Sequence, residues 1–144
     1  MATTRNATTE WQGSLLEGKG QVTLESSGLG TYDVTWASRA QDPEGRTSPE
    51  ELIAAAHSSC FSMAFSNALA KADHAPARLR TSAAVTFQPG EGITGIVLTV
   101  RGVVPGLDEA AFVAKAEGAK ANCPVSKALA GVPEITLEAS LSGQ

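Results

Sequence analysis

The segment from Ser48 to Leu69 constrains this chain more than any other. From Leu52 onward it is apolar or small nearly all round, with Ala54, Ala55, Ala56, Ser58, Ser59, Ala64 and Ala68 set among larger apolar residues. A helix without a continuous polar face cannot rest on a surface, so burial on more than one side is predicted. Its start is clear. Ser48 is placed as N-cap, Pro49 suits the first helical position, and Glu51, three residues after the cap, completes a capping box by bonding back to the cap backbone. The two adjacent acids therefore have different work: Glu51 is structural, and Glu50 keeps a carboxylate that the cap does not use. Lys71, Ala72 and Asp73 mark the far end, and Pro76 prevents continuation.

On either side of this helix the chain reads as strands. Val22 and Leu24 alternate with Thr23 and Glu25, and Tyr32, Val34 and Trp36 repeat the period after a hairpin turn at Ser27-Gly28-Leu29-Gly30. Arg39 then closes a strand, and residues 40–48 have the polar, Pro/Gly-rich composition of a loop. Beyond the helix, strands are predicted at about Leu79 to Phe87 and Ile93 to Val104, joined as a hairpin through Pro89-Gly90-Glu91-Gly92. Asp108 is placed to cap a second helix carrying Phe112, Ala116 and Ala119 on one stripe and ending near Ala121. A short helical turn begins at Cys123-Pro124, and Ile135, Leu137, Ala139 and Leu141 alternate through a last strand. This order of elements is α+β rather than a regular βαβ series, in one domain spanning residues 1–144.

Composition narrows the function. Of the 144 residues 42% are hydrophobic and 18% charged, and the net charge of −4 gives no basic surface for nucleic acid. No window reaches the apolar length that crosses a bilayer, and the first residues lack the apolar core of a secretory signal, so no membrane partner is expected and the cytoplasm is the expected compartment. Aromatic residues are only 5%, so the core is built of closely packed Ala, Val, Leu and Ile. A core of that kind is modest, and pairing with a second copy is the natural way to enlarge it.

Two cysteines stand far apart, Cys60 in His57-Ser58-Ser59-Cys60-Phe61 and Cys123 in Asn122-Cys123-Pro124-Val125-Ser126. In a reducing compartment such a pair points to redox catalysis or metal binding rather than to a structural crosslink. A thiol reacts as thiolate, and the two have different local means of ionising. Cys123 precedes a proline suited to a helix start, next to unpaired backbone N–H groups. Cys60 lies three turns into the long helix and needs a cation from elsewhere. Arg39, Arg46, His57 and His74 are the candidates. His57 shares a face with Cys60, either as a Cys–His pair or as a residue making a polar contact inside a buried helix, and His74 beside Asp73 reads as solvated.

The stretch Thr47-Ser48-Pro49-Glu50-Glu51-Leu52-Ile53-Ala54-Ala55-Ala56-His57-Ser58-Ser59-Cys60-Phe61-Ser62-Met63-Ala64 closely resembles the central helix of the osmotically inducible protein C branch of the organic hydroperoxide resistance superfamily. Asn122-Cys123-Pro124-Val125-Ser126 resembles that family's second signature, and Trp11-Gln12-Gly13, the strand ending at Arg39 and Ile135-Thr136-Leu137 fall where members carry them. The resemblance implies antiparallel sheets around a long buried central helix, in an intertwined homodimer. It implies a thiol peroxidase that reduces organic hydroperoxides to alcohols without haem, flavin or metal, so no cofactor is expected. By the same resemblance Cys60 is the peroxidatic cysteine, Cys123 the resolving cysteine, Arg39 the stabiliser of the Cys60 thiolate and Glu50 the carboxylate that orients Arg39. The disulfide they form would be reduced by a dithiol such as a lipoyl group. One point conflicts: local electrostatics favour Cys123 as the thiolate, whereas the resemblance makes Cys60 the attacker, which buried Arg–thiolate pairing can bring about. The choice of Arg39 over Arg46 also rests on the resemblance.

Two other readings use the same residues. One is a cysteine hydrolase or acyl transferase with Cys60 as nucleophile and His57 as base. The other is a non-catalytic metal-binding domain using Cys60, Cys123, His57 and a carboxylate, although the spacing fits no common zinc pattern. Phe61, Met63, Phe65 and Phe112 are apolar candidates for an alkyl pocket, but each reads first as core and none is assigned to the site.

Overall fold

The computed structural model describes residues 1–142, which fall into two compact units, residues 1–52 and the chain from Ile53 onward. The first unit is an antiparallel meander of β1 (Ala7–Gln12), β2 (Lys19–Leu24) and β3 (Thr31–Val34), with β2 central. The hairpin between β2 and β3 forms as expected, with Gly28 at φ 68° in the turn. Trp36 does not continue the strand. It opens a five-residue helix, α1 (Trp36–Ala40), whose N-cap is Thr35. Thr35 Oγ1 accepts the Ser38 N–H and Ser38 Oγ accepts the Thr35 N–H, both at 3.0 Å, which closes a capping box with serine in place of the usual glutamate. Arg39 therefore lies in the last turn of a helix rather than at a strand end.

Helix α2 (Pro49–Lys71) begins where predicted, and its first turn belongs to the first unit. The Glu51 N–H donates to Ser48 Oγ at 3.2 Å, so the cap is real. Its reciprocal half is displaced by one residue: the Glu51 carboxylate accepts the Thr47 hydroxyl at 2.6 Å instead of the cap N–H. Glu50 is left out of the cap either way.

The second unit holds the rest of α2, a sheet of β4 (Arg78–Gln88), β5 (Gly92–Val103) and β6 (Glu134–Leu141), and helices α3 (Glu109–Asn122) and α4 (Pro124–Ala128). Asp108 caps α3 through a 2.8 Å bond to the Ala111 N–H. β4 and β5 form the expected hairpin, but β6 runs parallel to β5, with Ile96 opposite Ile135 and Leu98 opposite Leu137. The expectation of purely antiparallel sheets is corrected here. The α3 and α4 connection carries the chain back to the starting end of β5, which is what a parallel neighbour requires.

The core lies in this unit. Phe61, Phe65 and Leu69 of α2 meet Ile96, Leu98 and Val100 of β5 and Phe112, Ala116 and Ala119 of α3. Phe65 is central, with ring centroids 5.6 Å from Phe61 and 5.0 Å from Phe112, so these three phenylalanines are core, as expected of them first. The burial of α2 differs from expectation. Beyond the first turn, where Glu50 is buried, only the stripe His57, Phe61, Phe65 and Leu69, at four-residue spacing, is buried, while Ala55, Ala56, Ser59 and Met63 are exposed, Met63 at 72%. The second unit supplies one layer against α2, and one layer covers one stripe.

Phe65→Ala should lower the unfolding free energy by about 3–5 kcal/mol, because it opens a cavity at the centre of this cluster. Chemical denaturation measures it, and a loss below about 1 kcal/mol would show that the ring is not a core anchor.

Candidate active site

The fold brings the two cysteines together. Cys60, half-buried on α2, and Cys123, fully buried between α3 and α4, are both free thiols with their Sγ atoms 3.2 Å apart. Each segment is positioned by its own local chemistry. Cys60 is one helical turn ahead of Ala64 and Phe65 on a helix pinned by its aromatic stripe. Cys123 ends α3, its N–H donating to the Ala119 carbonyl at 2.8 Å, and is at once the N-cap of α4, whose first residue is Pro124.

Backbone donors at the start of α4 serve both sulfurs, but unequally. Burial pushes the Cys60 thiol up; the Val125 N–H opposes this, and the neighbouring Cys123 sulfur adds to the rise. Burial also works against Cys123. There, however, the Ser126 N–H, the Cys60 thiol, the Ser126 hydroxyl and the Val125 N–H outweigh it and hold the group below the ordinary thiol range. Once one proton has left the pair, the one that remains is favoured on the Cys60 side.

His57 comes from the same face of α2 and is fully buried. Its Nε2 lies 2.8 Å from Ser126 Oγ, so the partner of the imidazole is Ser126 rather than Cys60. Its Nδ1 has no hydrogen-bond partner, and burial lowers its basicity. The alternative in which His57 acts as a base on Cys60 loses both its geometry and its driving force. Ser126 closes the Asn122–Ser126 motif, and its position three residues after Cys123 is the signal the sequence carries for it. Among the described residues no group of three or more His, Cys, Asp or Glu side chains is gathered to hold a metal ion, so the metal-binding alternative has no donor set. No helix among them is long and apolar enough to cross a membrane.

The first unit contains the other predicted pair. Arg39 Nε donates to Glu50 Oε1 at 3.0 Å and to Oε2 at 3.1 Å, and Nη2 donates to Oε2 at 2.8 Å. This two-pronged clasp fixes the guanidinium plane, and Glu50 is only 6% exposed. A cavity of about 400 Å³ opens beside Arg39, lined by Trp11, Leu15, Val22, Trp36 and Leu52, and is largely apolar. Arg46 instead lines a separate, polar cavity of about 410 Å³ with Glu10, Lys19 and Asp33. Of the remaining candidates, Met63 is on the exposed face of α2, and His74 is half-buried with Nδ1 3.4 Å from the Pro105 carbonyl.

Residues 41–138 match the OsmC-like protein family. The chain is 41% identical to the peroxiredoxin OsmC of Escherichia coli (strain K12) over 134 residues, covering 91% of this chain and 92% of that one. It is 34% identical over 97 residues to an organic hydroperoxide resistance protein of Xanthomonas axonopodis pv. citri, covering 63% of this chain and 65% of that one. Among solved structures it shares its fold with an organic hydroperoxide resistance protein from Elizabethkingia anophelis. The TM-score there is 0.71 at 23% identity, covering 100% of this chain and 99% of that chain.

In the reduced protein the thiols should titrate as a coupled pair, the first proton leaving below the ordinary thiol range and the second above it. The first loss is favoured by the donors aimed at Cys123, and the second must place two negative sulfurs side by side. Ultraviolet thiolate absorbance followed against pH reads both steps. A single transition of both thiols at the ordinary value would show that the sulfurs do not interact.

Proposed function

The chain belongs to the OsmC-like protein family, and on that ground we propose that it is a thiol peroxidase reducing organic hydroperoxides to alcohols. The observation that carries this reading is the 3.2 Å approach of two free thiols separated by 63 residues of chain. A thiol pair held so close in the reduced state is suited to forming and breaking a bond, which neither a packing role nor a hydrolase requires.

In the proposed cycle the Cys60 thiolate attacks the distal oxygen of the hydroperoxide. The O–O bond breaks, an S–O bond forms, and the alkoxide leaves and takes a proton to become the alcohol. Cys123, as thiolate, then attacks the sulfur of the Cys60 sulfenic acid. The S–S bond forms, the S–O bond breaks, and the departing hydroxide is protonated to water. A dithiol, of which a lipoyl group is one example, restores both thiols by exchange.

Arg39 is assigned to hold Cys60 ionised and to polarise the peroxide, with Glu50 orienting it. Their clasp supports this assignment, and so does the rise of the Cys60 pKa among its own neighbours, which a cation must offset. The apolar cavity at Arg39 suits an alkyl group on the substrate. The working unit is proposed to be a homodimer, supported by the small and apolar residues that α2 leaves exposed.

Mass measurement of free thiols before and after one equivalent of cumene hydroperoxide tests the reading. Two thiols should be lost as one intrachain disulfide, with Cys60→Ser consuming no peroxide and Cys123→Ser stopping at a sulfenic acid open to over-oxidation. Arg39→Lys keeps the charge but not the fork, and should slow peroxide consumption by roughly 100-fold. Retention of both thiols after peroxide would end the proposal, and full rate in Arg39→Lys would end the part assigned to Arg39.

A further inference from the structure

We infer that His57 and Ser126 form an inert rung that sets the approach of Cys123 to Cys60, with His57 as a positioning residue for disulfide closure; its place in the cycle rests on the peroxidase reading. The two segments have matched spacings. His57 and Cys60 are three residues apart on α2, and Cys123 and Ser126 are three residues apart on the segment that meets it. The pairing runs in opposite senses, with His57 Nε2 2.8 Å from Ser126 Oγ and the Cys60 sulfur 3.2 Å from that of Cys123. On α2 this spacing puts both side chains on one face, and Ser126 lies one turn into the helix that Cys123 caps. The segments are thus joined at two points a turn apart, one of them redox-active and the other not.

The Cys123 segment needs a second point. α4 has five residues, no side-chain cap and no fully buried residue, and a helix this short keeps its place only through its surroundings. Val125 and Leu129 pack against the core, but apolar contact is non-directional and leaves the segment free to turn about it. A hydrogen bond removes that freedom, because its strength falls steeply with distance and angle. Its anchor is fixed: His57 is fully buried on the stripe that carries Phe61, Phe65 and Leu69. Closing the disulfide brings the sulfurs from 3.2 Å to about 2.05 Å, a movement small enough for a contact one turn away to persist.

The orphan ring nitrogen gives the rung its direction. Nδ1 is buried without a partner, and a buried N–H lacking an acceptor is the rarer and costlier arrangement. The hydrogen therefore belongs on Nε2, which donates to the Ser126 oxygen. Position 57 must supply an N–H donor and position 126 a hydroxyl.

Equilibration with reduced and oxidised glutathione reads the rung without peroxide. The two protein thiols lose two electrons and two protons, one oxidised glutathione becomes two reduced ones, and the equilibrium constant reports how well the sulfurs are placed for each other. Ser126→Ala and His57→Leu should each lower that constant roughly fivefold to tenfold, the worth of about one hydrogen bond. The double variant should lose no more than either single one, because both remove the same contact. Ser126→Thr, which keeps the hydroxyl, and His57→Gln, which keeps an N–H donor, should stay within about twofold of the parent.

A contact that serves only the fold would weaken the reduced and oxidised proteins alike towards urea and leave the constant at its parent value, and that result refutes the rung. So does a double variant in which the two losses multiply. Should His57→Leu fail to fold, the contrast of Ser126→Ala with Ser126→Thr still decides. In otherwise unaltered protein, quenched-flow mass analysis compares disulfide closure with sulfenic acid formation. Ser126→Ala should lower the ratio of the two rates roughly fivefold or more, and a proportional fall in both would count against the rung. If the parent consumes no peroxide, the peroxidase reading falls, while the glutathione equilibrium still judges the rung.

Discussion

The contact between Cys60 and Cys123 is the constraint to which the second unit is built. One sulfur sits on a continuous helix and the other at the junction of two helices, so their meeting depends on three elements holding position at once. The core supplies that position: Phe61 and Phe65 flank the Cys60 turn, and Phe112, Ala116 and Ala119 seat the helix that ends at Cys123. The entropy of bringing two remote segments together is met in folding rather than in the reaction. A disulfide step between prepositioned groups then gains the advantage of an intramolecular process, several powers of ten over free thiols at ordinary concentration.

Closeness alone would make the pair symmetric, and the surroundings break that symmetry. The α4 amides and Ser126 favour charge on Cys123, while burial and the neighbouring sulfur disfavour it on Cys60. Local electrostatics thus favour ionisation of Cys123 over that of Cys60, which is the conflict already visible in the sequence. The two facts fit one cycle when Cys60 is ionised by a separate cation. A thiol with low intrinsic acidity is the stronger nucleophile once ionised, and a thiol with high acidity is the better leaving group when the disulfide is reduced. Each sulfur then has the character its step demands.

The parts read correctly from sequence are those whose cause is local. Ser48 and Pro49, Asp108, and Cys123-Pro124 announce helix starts because a cap needs only neighbours, and β4, β5 and β6 announce themselves by alternation. β1 escaped because Ala7-Thr8-Thr9-Glu10-Trp11-Gln12 is exposed throughout and has no apolar period. α1 escaped because Trp36 extends the alternation of β3; the signal that could have found it was Thr35 with Ser38 three residues later. The sense of β6 and the open face of α2 depend on how distant segments return, which no local pattern records. Elimination from the cap left only a free carboxylate at Glu50, even though Glu51 takes a different partner from the one expected, and its pairing with Arg39 came from resemblance. The roles of the cysteines came from resemblance, and Ser126 went unnoticed because its importance lies in a contact 69 residues away.

That contact also explains why a histidine sits at a core position. An apolar residue at position 57 would continue the stripe of α2 and would remove an unpartnered ring nitrogen, whose burial is worth about 1–3 kcal/mol against the fold. Packing therefore offers no reason to keep an imidazole there. Among the described residues its hydrogen-bond partner is Ser126, three residues after Cys123 on the helix that Cys123 caps. Local rules broken without a gain in stability are expected where a site imposes its own requirement, and the broken rule here lies one hydrogen bond from the short helix that begins at Cys123.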